Sequence, residues 1–289
     1  MCYSNRILRG LRFAWPAVAA AAIALVLAAC GRASAGEPAE LTVVAKEVDG
    51  EYFYELPDTV PAGPVRIGLV NEGTETHHVQ LLRLDPGITV DDLTRLYEEG
   101  GEPAVADVTE FIGGVGVVAP GERSRADGIV DLEPGQYAVL CFVPGPDGSP
   151  HLMHGMVAPL YVSEGNPVEP IRADIRIELF DYGFEVPEVI PGDAILEVTN
   201  RALAEPHEMM IARLEDGATI DQVYRALEAG EEIPAVALGG AQALDPARSQ
   251  LVQLDLEPGD YVIWCQIPSP DGQPHVMKGM IAQVTVEAA

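Results

Sequence analysis

The chain has 289 residues, of which 48% are hydrophobic and 21% charged, and its formal net charge at pH 7 is −28. This length fits two domains, each large enough to bury a core of its own. The acidic excess excludes nucleic acid and an anionic membrane surface as electrostatic partners, because both would repel the protein. The 29 glycines and 24 prolines favour short strands and turns over long helices.

The first segment in chain order is an export signal and not part of the fold. Arg6, Arg9 and Arg12 precede the apolar run FAWPAVAAAAIALVLAA, which is typical of a secretory leader. The run ends in LAAC, which resembles a bacterial lipobox with Cys30 as the lipid-modified residue. Lipid on this cysteine would anchor the exported protein to the outer face of a bacterial membrane, in the cell envelope. A plain signal peptide and an uncleaved anchor helix are the alternatives.

The remaining sequence is a duplication. CFVPGPDGSPHLMHGM at 141–156 matches CQIPSPDGQPHVMKGM at 265–280, and NEGTETHHVQLLRL matches NRALAEPHEMMIARL with one residue inserted. A period above one hundred residues indicates two related domains and not a stacked repeat array. The predicted signal peptide, linker, first domain, second linker and second domain are residues 1–30, 31–37, 38–163, 164–171 and 172–289.

Each repeat is predicted to consist of short strands with one inserted helix. The strand YAVLC alternates between two faces, which places Tyr137, Val139 and Cys141 together on a face that we expect to be the core. The helix of the second repeat is predicted between a capping box at Thr219 and a left-handed glycine at Gly230. The same design runs from Thr89 to Gly100 in the first repeat. The predicted fold class is all-β, with two tandem β-sandwiches that each carry a short helix.

Two cysteines remain after the leader, and neither has a partner within its own repeat. Exported proteins usually pair their thiols, so Cys141 and Cys265 are inert buried residues, one interdomain disulfide, or metal ligands. Each repeat also supplies two histidines and one methionine at matching positions. The candidate ligands are His77, Cys141, His151 and Met156 in the first repeat, and His207, Cys265, His275 and Met280 in the second. Two imidazoles, a thiolate and a weak axial thioether suit a blue copper site.

At these residues the sequence resembles the cupredoxin family. NEGTETHH and NRALAEPHE resemble the context of the family's first histidine, GQYAVLC and GDYVIWC its strand before the cysteine, and HLMHGM and HVMKGM its His-x-x-x-Gly-Met ending. The resemblance implies two Greek-key cupredoxin-like β-sandwiches and up to two copper ions per chain. Nine residues separate Cys141 from His151, more than in small cupredoxins and comparable to the type 1 loop of copper nitrite reductases.

The sequence therefore predicts an exported, membrane-tethered copper protein that transfers single electrons through type 1-like sites, with a redox protein as its partner. Copper delivery or storage, and a metal-free cupredoxin-like scaffold, are the alternatives. We also expect no enzymatic activity. The chain has no His-x-His pairs and no His-Cys-His motif, and four of its six histidines are already assigned as ligands.

The two sites are expected to differ. His78 and His154 accompany the first ligand set, where Glu208 and Lys278 accompany the second. Extra imidazoles favour nitrogen-rich Cu(II) binding, so the first site is predicted to be less typical and to have the lower reduction potential. The linker between the repeats further predicts separate cores, so that damage to one domain leaves the other folded.

Overall fold

The computed structural model describes residues 37–165, 168 and 170–288, and within them each repeat forms nine strands in the same order. The first repeat has β1 Ala39–Val48, β2 Glu51–Glu55, β3 Thr59–Pro61, β4 Gly63–Asn71, β5 His77–Leu84, β6 Thr109–Val118, β7 Ala126–Leu132, β8 Gly135–Leu140 and β9 Val157–Ser163. The second has β10 Ile175–Phe180, β11 Gly183–Glu185, β12 Val189–Pro191, β13 Ile195–Asn200, β14 His207–Leu214, β15 Ala235–Leu244, β16 Ser249–Leu254, β17 Gly259–Trp264 and β18 Ile281–Glu287. The leader and Cys30 lie outside the described residues. No helix among the described residues is long and apolar enough to cross a membrane.

Two layers of strands run through both repeats. One layer has the order β2, β1, β4, β7, β16, β13, β10, β11. The other has the order β3, β9, β8, β5, β6, β15, β14, β17, β18, β12. Most neighbours are antiparallel, but β1 with β4, β10 with β13, β3 with β9 and β12 with β18 are parallel. Each repeat is therefore a mixed-sheet sandwich, and the predicted all-β cupredoxin-like class is confirmed.

The repeats join edge to edge in both layers. In one layer Leu251 pairs with Ile129 across the junction of β16 and β7. In the other, Leu238 pairs with Val118 across the junction of β15 and β6. Since strand hydrogen bonds continue from one repeat into the next, the junction covers four sheet edges, those of β6, β7, β15 and β16.

The core of the second sandwich continues across the junction. Tyr137, Val139 and Cys141 share one face of the β8 segment and lie in the core of the first sandwich, as predicted. The opposite face is buried as well, and its Leu140 lies in an apolar cluster that also contains Ile211 of the second repeat. The first sandwich has a core made only of first-repeat residues, but the core of the second sandwich includes residues from the outer face of the first. The expectation of separate cores is therefore wrong for the second sandwich, because edge pairing packs its core against the first repeat.

The two predicted helices are present. Helix α1 is Val90–Ala106 and α2 is Ile220–Ala229, and both begin with a reciprocal capping box, at Thr89 and Thr219. Helix α2 ends at Gly230 in the left-handed conformation, as expected. Helix α1 runs past the predicted end through a kink at Gly101, whose φ is 69°.

A Gly-Gly pair in each repeat permits a bulge next to the first ligand strand. Gly113 and Gly114 have φ values of 101° and 142°, and Gly239 and Gly240 both have 114°. A Cβ atom at Gly114 would collide with the backbone of β5, so only glycine fits this close approach. The bulges shift the register along β5 and β14, the strands that carry the first histidine of each site.

Candidate metal centres

Strand ends and one folded loop assemble each predicted ligand set. His77 begins β5, Cys141 follows β8 directly, and His151 opens a one-turn 3-10 helix that ends at His154. The loop between Cys141 and His151 folds back on itself through a bridge between Pro144 and Pro150. Because the loop folds back, His151 lies beside Cys141 although nine residues separate them in the sequence.

Backbone hydrogen bonds then fix the second histidine beside the cysteine. The N–H of His151 donates to the carbonyl of Val143, and the N–H of Leu152 donates to that of Cys141, both at 2.9 Å. Gly155, with φ 98°, lets the chain turn into β9. The second repeat repeats these bonds with Ile267, Val276 and Gly279 in the same roles.

We call His77, Cys141 and His151 centre one, and His207, Cys265 and His275 centre two. In each centre, one potential ligand atom per residue lies within 4.8 Å of the others, and all six side chains are buried. The two histidine Nδ1 atoms are 3.0 Å apart in both centres. The Cys141 sulfur lies 3.5 Å from Nδ1 of His151, and the Cys265 sulfur lies 3.3 Å from Nδ1 of His275.

Carboxylates bind the outer nitrogen of each histidine. Glu47 lies 2.8 Å from Nε2 of His77, and Glu75 lies 3.1 Å from Nε2 of His151. In centre two the corresponding acids are Asp181, at 3.4 Å from Nε2 of His207, and Glu205, at 2.8 Å from Nε2 of His275.

The charge state of Glu47 settles which nitrogen of His77 carries the proton. Burial would raise the pKa of this carboxyl, but hydrogen bonds from Thr74, the Glu75 N–H and His77 lower it to about 2. An ionised carboxylate only accepts hydrogen bonds, so Nε2 is the protonated nitrogen and Nδ1 carries a lone pair.

The donor set fits a metal ion. Two Nδ1 atoms 3.0 Å apart either share a proton in a hydrogen bond or present both lone pairs to one electron-pair acceptor. Burial lowers the pKa of His77, His151, His207 and His275, which keeps these imidazoles neutral and able to bind metal. Burial raises the pKa of the Cys141 thiol to about 12, so metal binding itself must displace the proton.

The two methionines lie next to these groups. Met156 and Met280 are fully buried. The N–H of Cys141 donates to the carbonyl of Met156 at 3.2 Å, and Cys265 makes the same bond to Met280. The backbone therefore holds each methionine beside its cysteine, and the axial thioether stays a prediction.

The cysteines are not paired with each other. Cys141 and Cys265 are both free and buried, in different sandwiches. The interdomain disulfide, one of the alternatives for these residues, is absent from the described part of the chain.

The additional imidazoles of the first repeat lie outside its metal group. His78 points to the opposite face of β5, where its Nε2 accepts the N–H of Phe142 at 2.6 Å. His154 is paired with Asp147 at 3.2 Å. The premise of a nitrogen-rich first site is therefore wrong, because strand alternation turns His78 away from His77.

Sequence reasoning missed the residues that surround the ligands. Tyr52 stacks on His151 with ring centroids 4.4 Å apart, and Tyr182 meets His275 edge-on at 5.0 Å. Their hydroxyls donate to Glu75 and Glu205. Both pairs occupy matching positions in the duplicated sequence, so alignment of the two halves beyond the ligand motifs would have found them.

Comparison with known proteins gives matches in structure alone. No family model and no curated protein matches the chain. Auracyanin from Roseiflexus castenholzii is 21% identical, with a TM-score of 0.28, over 39% of this chain and 95% of its own. The Cu-containing nitrite reductase of Thermus scotoductus is 15% identical with a TM-score of 0.25, over 87% of this chain and 62% of its own. A multicopper oxidase is 13% identical with a TM-score of 0.24, over 86% of this chain and 88% of its own.

These matches correct one expectation. We expected no enzymatic activity, but cupredoxin-like chains similar over most of this length include a nitrite reductase and a multicopper oxidase. The histidine count was too narrow a test, because it considered only clusters built entirely from histidines of this one chain. The missing motifs therefore do not exclude catalysis.

The two cupredoxin-like sandwiches and their His-Cys-His groups fit up to two copper ions. Buried groups of two imidazoles and one thiolate are typical of copper sites.

Proposed function

We propose that this protein is an exported one-electron carrier with a type 1-like copper site in each sandwich. The observation that carries the proposal is the convergence of two Nδ1 atoms and one cysteine sulfur at a buried point, twice in one chain. When bound there, copper supplies the Cu(II)/Cu(I) couple.

The chain's own residues prepare each site for this role. The carboxylates at Nε2 hold the imidazoles in one orientation. Tyr52 and Tyr182 cover the second histidine of each centre, and the ligand side chains are fully buried. Such a shell excludes water and limits rearrangement when the charge of the site changes.

The test is a visible and electron paramagnetic resonance spectrum of the purified full chain after copper addition. We expect an intense blue thiolate-to-copper band. Copper held as colourless Cu(I) that cannot be oxidised reversibly would favour delivery or storage. No copper bound would favour a metal-free scaffold and overturn the proposal.

We further propose that Cys30 carries lipid and anchors the protein to the outer face of a bacterial membrane. The support is the LAAC sequence after an apolar run. Replacement of Cys30 by alanine should move the protein out of the detergent phase. Equal membrane retention of parent and variant would favour an uncleaved anchor.

The acidic surface supports a cationic redox protein as the partner. A net charge of −28 attracts cationic molecules and repels anionic ones. Electron exchange should be faster with a cationic cobalt complex than with an anionic iron complex of similar potential, and added salt should reduce the difference. Equal rates at low salt would contradict this part of the proposal.

A further inference from the structure

A cavity lies at the junction between the repeats, next to both metal centres. Its volume is about 690 Å³, which is within the range of small-molecule binding sites. Two parts of its wall are the segments that directly follow the cysteines, residues 142–144 in the first repeat and 266–268 in the second. None of the predicted metal ligands lines it. A molecule in this cavity would therefore lie beside both centres without displacing a ligand of either.

Most of the cavity wall is apolar, and both repeats contribute to it. The first repeat supplies Phe111 and Phe142, and the second supplies Met210, Trp264 and Ile267. The rings of Phe111 and Phe142 are stacked, with centroids 6.1 Å apart. Because aromatic side chains pack well against other rings, this wall favours a ligand with a flat, apolar body.

The charged side chains of the wall disfavour an anionic ligand. Four glutamates line the cavity, and no lysine or arginine is among its described lining residues. Two of these acids, Glu231 and Glu232, are exposed. An anion that enters would lose its hydration without gaining a cationic partner. The cavity is therefore suited to a neutral or cationic molecule.

His78 presents a hydrogen-bond donor to the cavity. Its Nε2 accepts the N–H of Phe142 at 2.6 Å, so Nε2 carries no proton and the ring holds its proton on Nδ1. This Nδ1 has no hydrogen-bond partner within the described part of the chain, although His78 is only 3% exposed. A buried N–H without a partner is costly, so the cavity needs an acceptor that the chain itself does not supply.

Two glutamines present acceptors to the same cavity. Nε2 of Gln242 donates to Oε2 of Glu208 at 2.8 Å, and Nε2 of Gln80 donates to the carbonyls of Leu81 and Ala243 at 2.9 and 3.2 Å. These bonds fix the orientation of both amides. Each glutamine is left with a buried Oε1 that has no hydrogen-bond partner among the described residues.

We propose that the junction cavity binds a neutral primary carboxamide on an apolar body. The cavity offers one free N–H and two free oxygens, and a primary amide has the complementary set of one carbonyl acceptor and two N–H donors. The ligand carbonyl accepts from Nδ1 of His78, and the ligand NH₂ group donates to Oε1 of Gln242 and Oε1 of Gln80. The apolar body packs against Phe142 and Trp264.

Other polar groups match the three free atoms less well. A hydroxyl has only one hydrogen to donate, an ammonium group has no acceptor, and a carboxylate has no donor. Each of them would leave at least one of the buried atoms unpaired, and a carboxylate would also meet the glutamates of the wall. The amide site does not depend on the proposed copper function, because no predicted metal ligand takes part in it.

The test is calorimetric titration of the metal-free full chain with 2-naphthamide. We expect naphthalene and 2-naphthoate, which have the same ring system, to bind about 100-fold more weakly than 2-naphthamide. Naphthalene forms none of the three hydrogen bonds. The carboxylate of 2-naphthoate has no N–H donors and is negatively charged.

A variant of one glutamine tests the polar contacts. Gln242→Leu removes one acceptor, so it should weaken 2-naphthamide binding about tenfold and leave naphthalene binding unchanged. Gln253→Leu is the matched control, since Gln253 is a half-buried glutamine of the same repeat that does not line the cavity. It should bind 2-naphthamide like the parent. If Gln242→Leu does not fold, Gln242→Met keeps the length of the side chain and should cause the same loss.

Nitrogen-15 NMR of the metal-free chain locates the bound molecule. Trp15 and Trp264 are the two tryptophans of the sequence, so a Trp15→Phe background leaves the indole signal of Trp264 alone. Both 2-naphthamide and naphthalene should shift this signal. Only 2-naphthamide should shift the Nδ1–H signal of His78, because only its carbonyl accepts that proton.

The outcomes separate this site from the copper proposal. Equal affinities for 2-naphthamide and naphthalene would overturn the amide site, because they would show an apolar cavity without polar contacts. Binding of neither molecule would also overturn it, since water alone would then pair the buried atoms. A shift that spares Trp264 would place the ligand elsewhere and contradict the proposal. A chain that binds 2-naphthamide as expected but takes up no copper would confirm the amide site and overturn only the proposed electron carrier.

Discussion

Centre one and centre two present the same ligand atoms at nearly the same distances, yet their surroundings differ. The acid that holds His77 is Glu47 on β1, 2.8 Å away and 12% exposed. The acid that holds His207 is Asp181, which follows β10, 3.4 Å away and 53% exposed. Duplication has kept the ligands and changed what fixes them, so the two centres should differ in affinity and potential more than in ligand geometry.

The two centres also differ in the residue near the cysteine sulfur. The Tyr54 hydroxyl donates to the carbonyl of His78, and it also opposes the effect of burial on the pKa of the Cys141 thiol. The matching residue of the second repeat is Phe184, which has no hydroxyl. Only centre one has a hydroxyl at this position. Its single proton lies on the His78 carbonyl, and turning that proton to the sulfur when the thiolate forms would favour Cu(I) there. We therefore expect the higher potential at centre one, the reverse of the order that the sequence alone predicted.

Removal of one cysteine thiolate should have the largest effect on copper binding. We expect Cys141→Ser to abolish the blue band of centre one and halve the bound copper, with the signal of centre two retained. Cys265→Ser should do the converse. Metal analysis with electron paramagnetic resonance would measure both. Loss of both copper ions in either variant would show that the centres do not bind metal independently.

The second-largest effect should come from a substitution at the junction between the repeats, which should lower the stability of the protein. The Gln250 side chain accepts the N–H of Gly114 at 2.8 Å and donates to its carbonyl at 2.9 Å. Gln250→Leu leaves both backbone groups unpaired, and we expect it to lower the free energy of unfolding by about 3 kcal/mol. Because the core of the second sandwich includes residues of the first repeat, calorimetry should show one transition for both repeats. Gln253→Leu, on the same strand and half-buried, is the control and should change stability little. Two separate transitions would contradict this packing of the second core against the first repeat.

Replacing the carboxylates that contact the first histidine of each centre should have a smaller effect on copper binding. The size of this effect should differ between the two centres. Glu47→Gln removes the charge that fixes His77, and we expect copper affinity at centre one to fall by about 10-fold to 100-fold. Asp181→Asn should weaken centre two less, because this acid is farther from its histidine and more exposed. Competition with a copper chelator, in the Cys265→Ser and Cys141→Ser backgrounds, would measure each centre alone. Equal losses of copper affinity at both centres would show that the different acid–histidine distances do not affect copper binding.

The smallest expected effect concerns the potential. Tyr54→Phe should lower the reduction potential of centre one by roughly 60 mV, the value for a tenfold change in a one-electron equilibrium, because the thiolate loses a hydrogen-bond donor. Phe184→Tyr should raise that of centre two. Spectroelectrochemical titration of single-centre variants measures both shifts. Unchanged potentials in both variants would show that the tyrosine hydroxyl does not reach the metal-bound sulfur.

Local signals in the sequence were sufficient for the elements and the ligand groups. The capping residues Thr89 and Thr219 marked both helix starts, since a side chain that caps a helix acts within one turn. The repeated phrase around Cys141 and His151 predicted that these residues share a site. Duplication made each signal visible twice, which a single copy would not have allowed.

Tertiary structure alone decided what surrounds those residues. Glu47 reaches His77 from a strand 30 residues away, and no spacing rule connects the two positions. The sequence order of His77 and His78 suggested two ligands, but the pleat of β5 sends them to opposite faces. The linker suggested separate cores, but the core of the second sandwich extends onto the first repeat, because sheet edges of the two repeats pair in both layers. Hydrogen-bond partners distant in sequence are fixed by sheet register and edge pairing, and these depend on the whole chain.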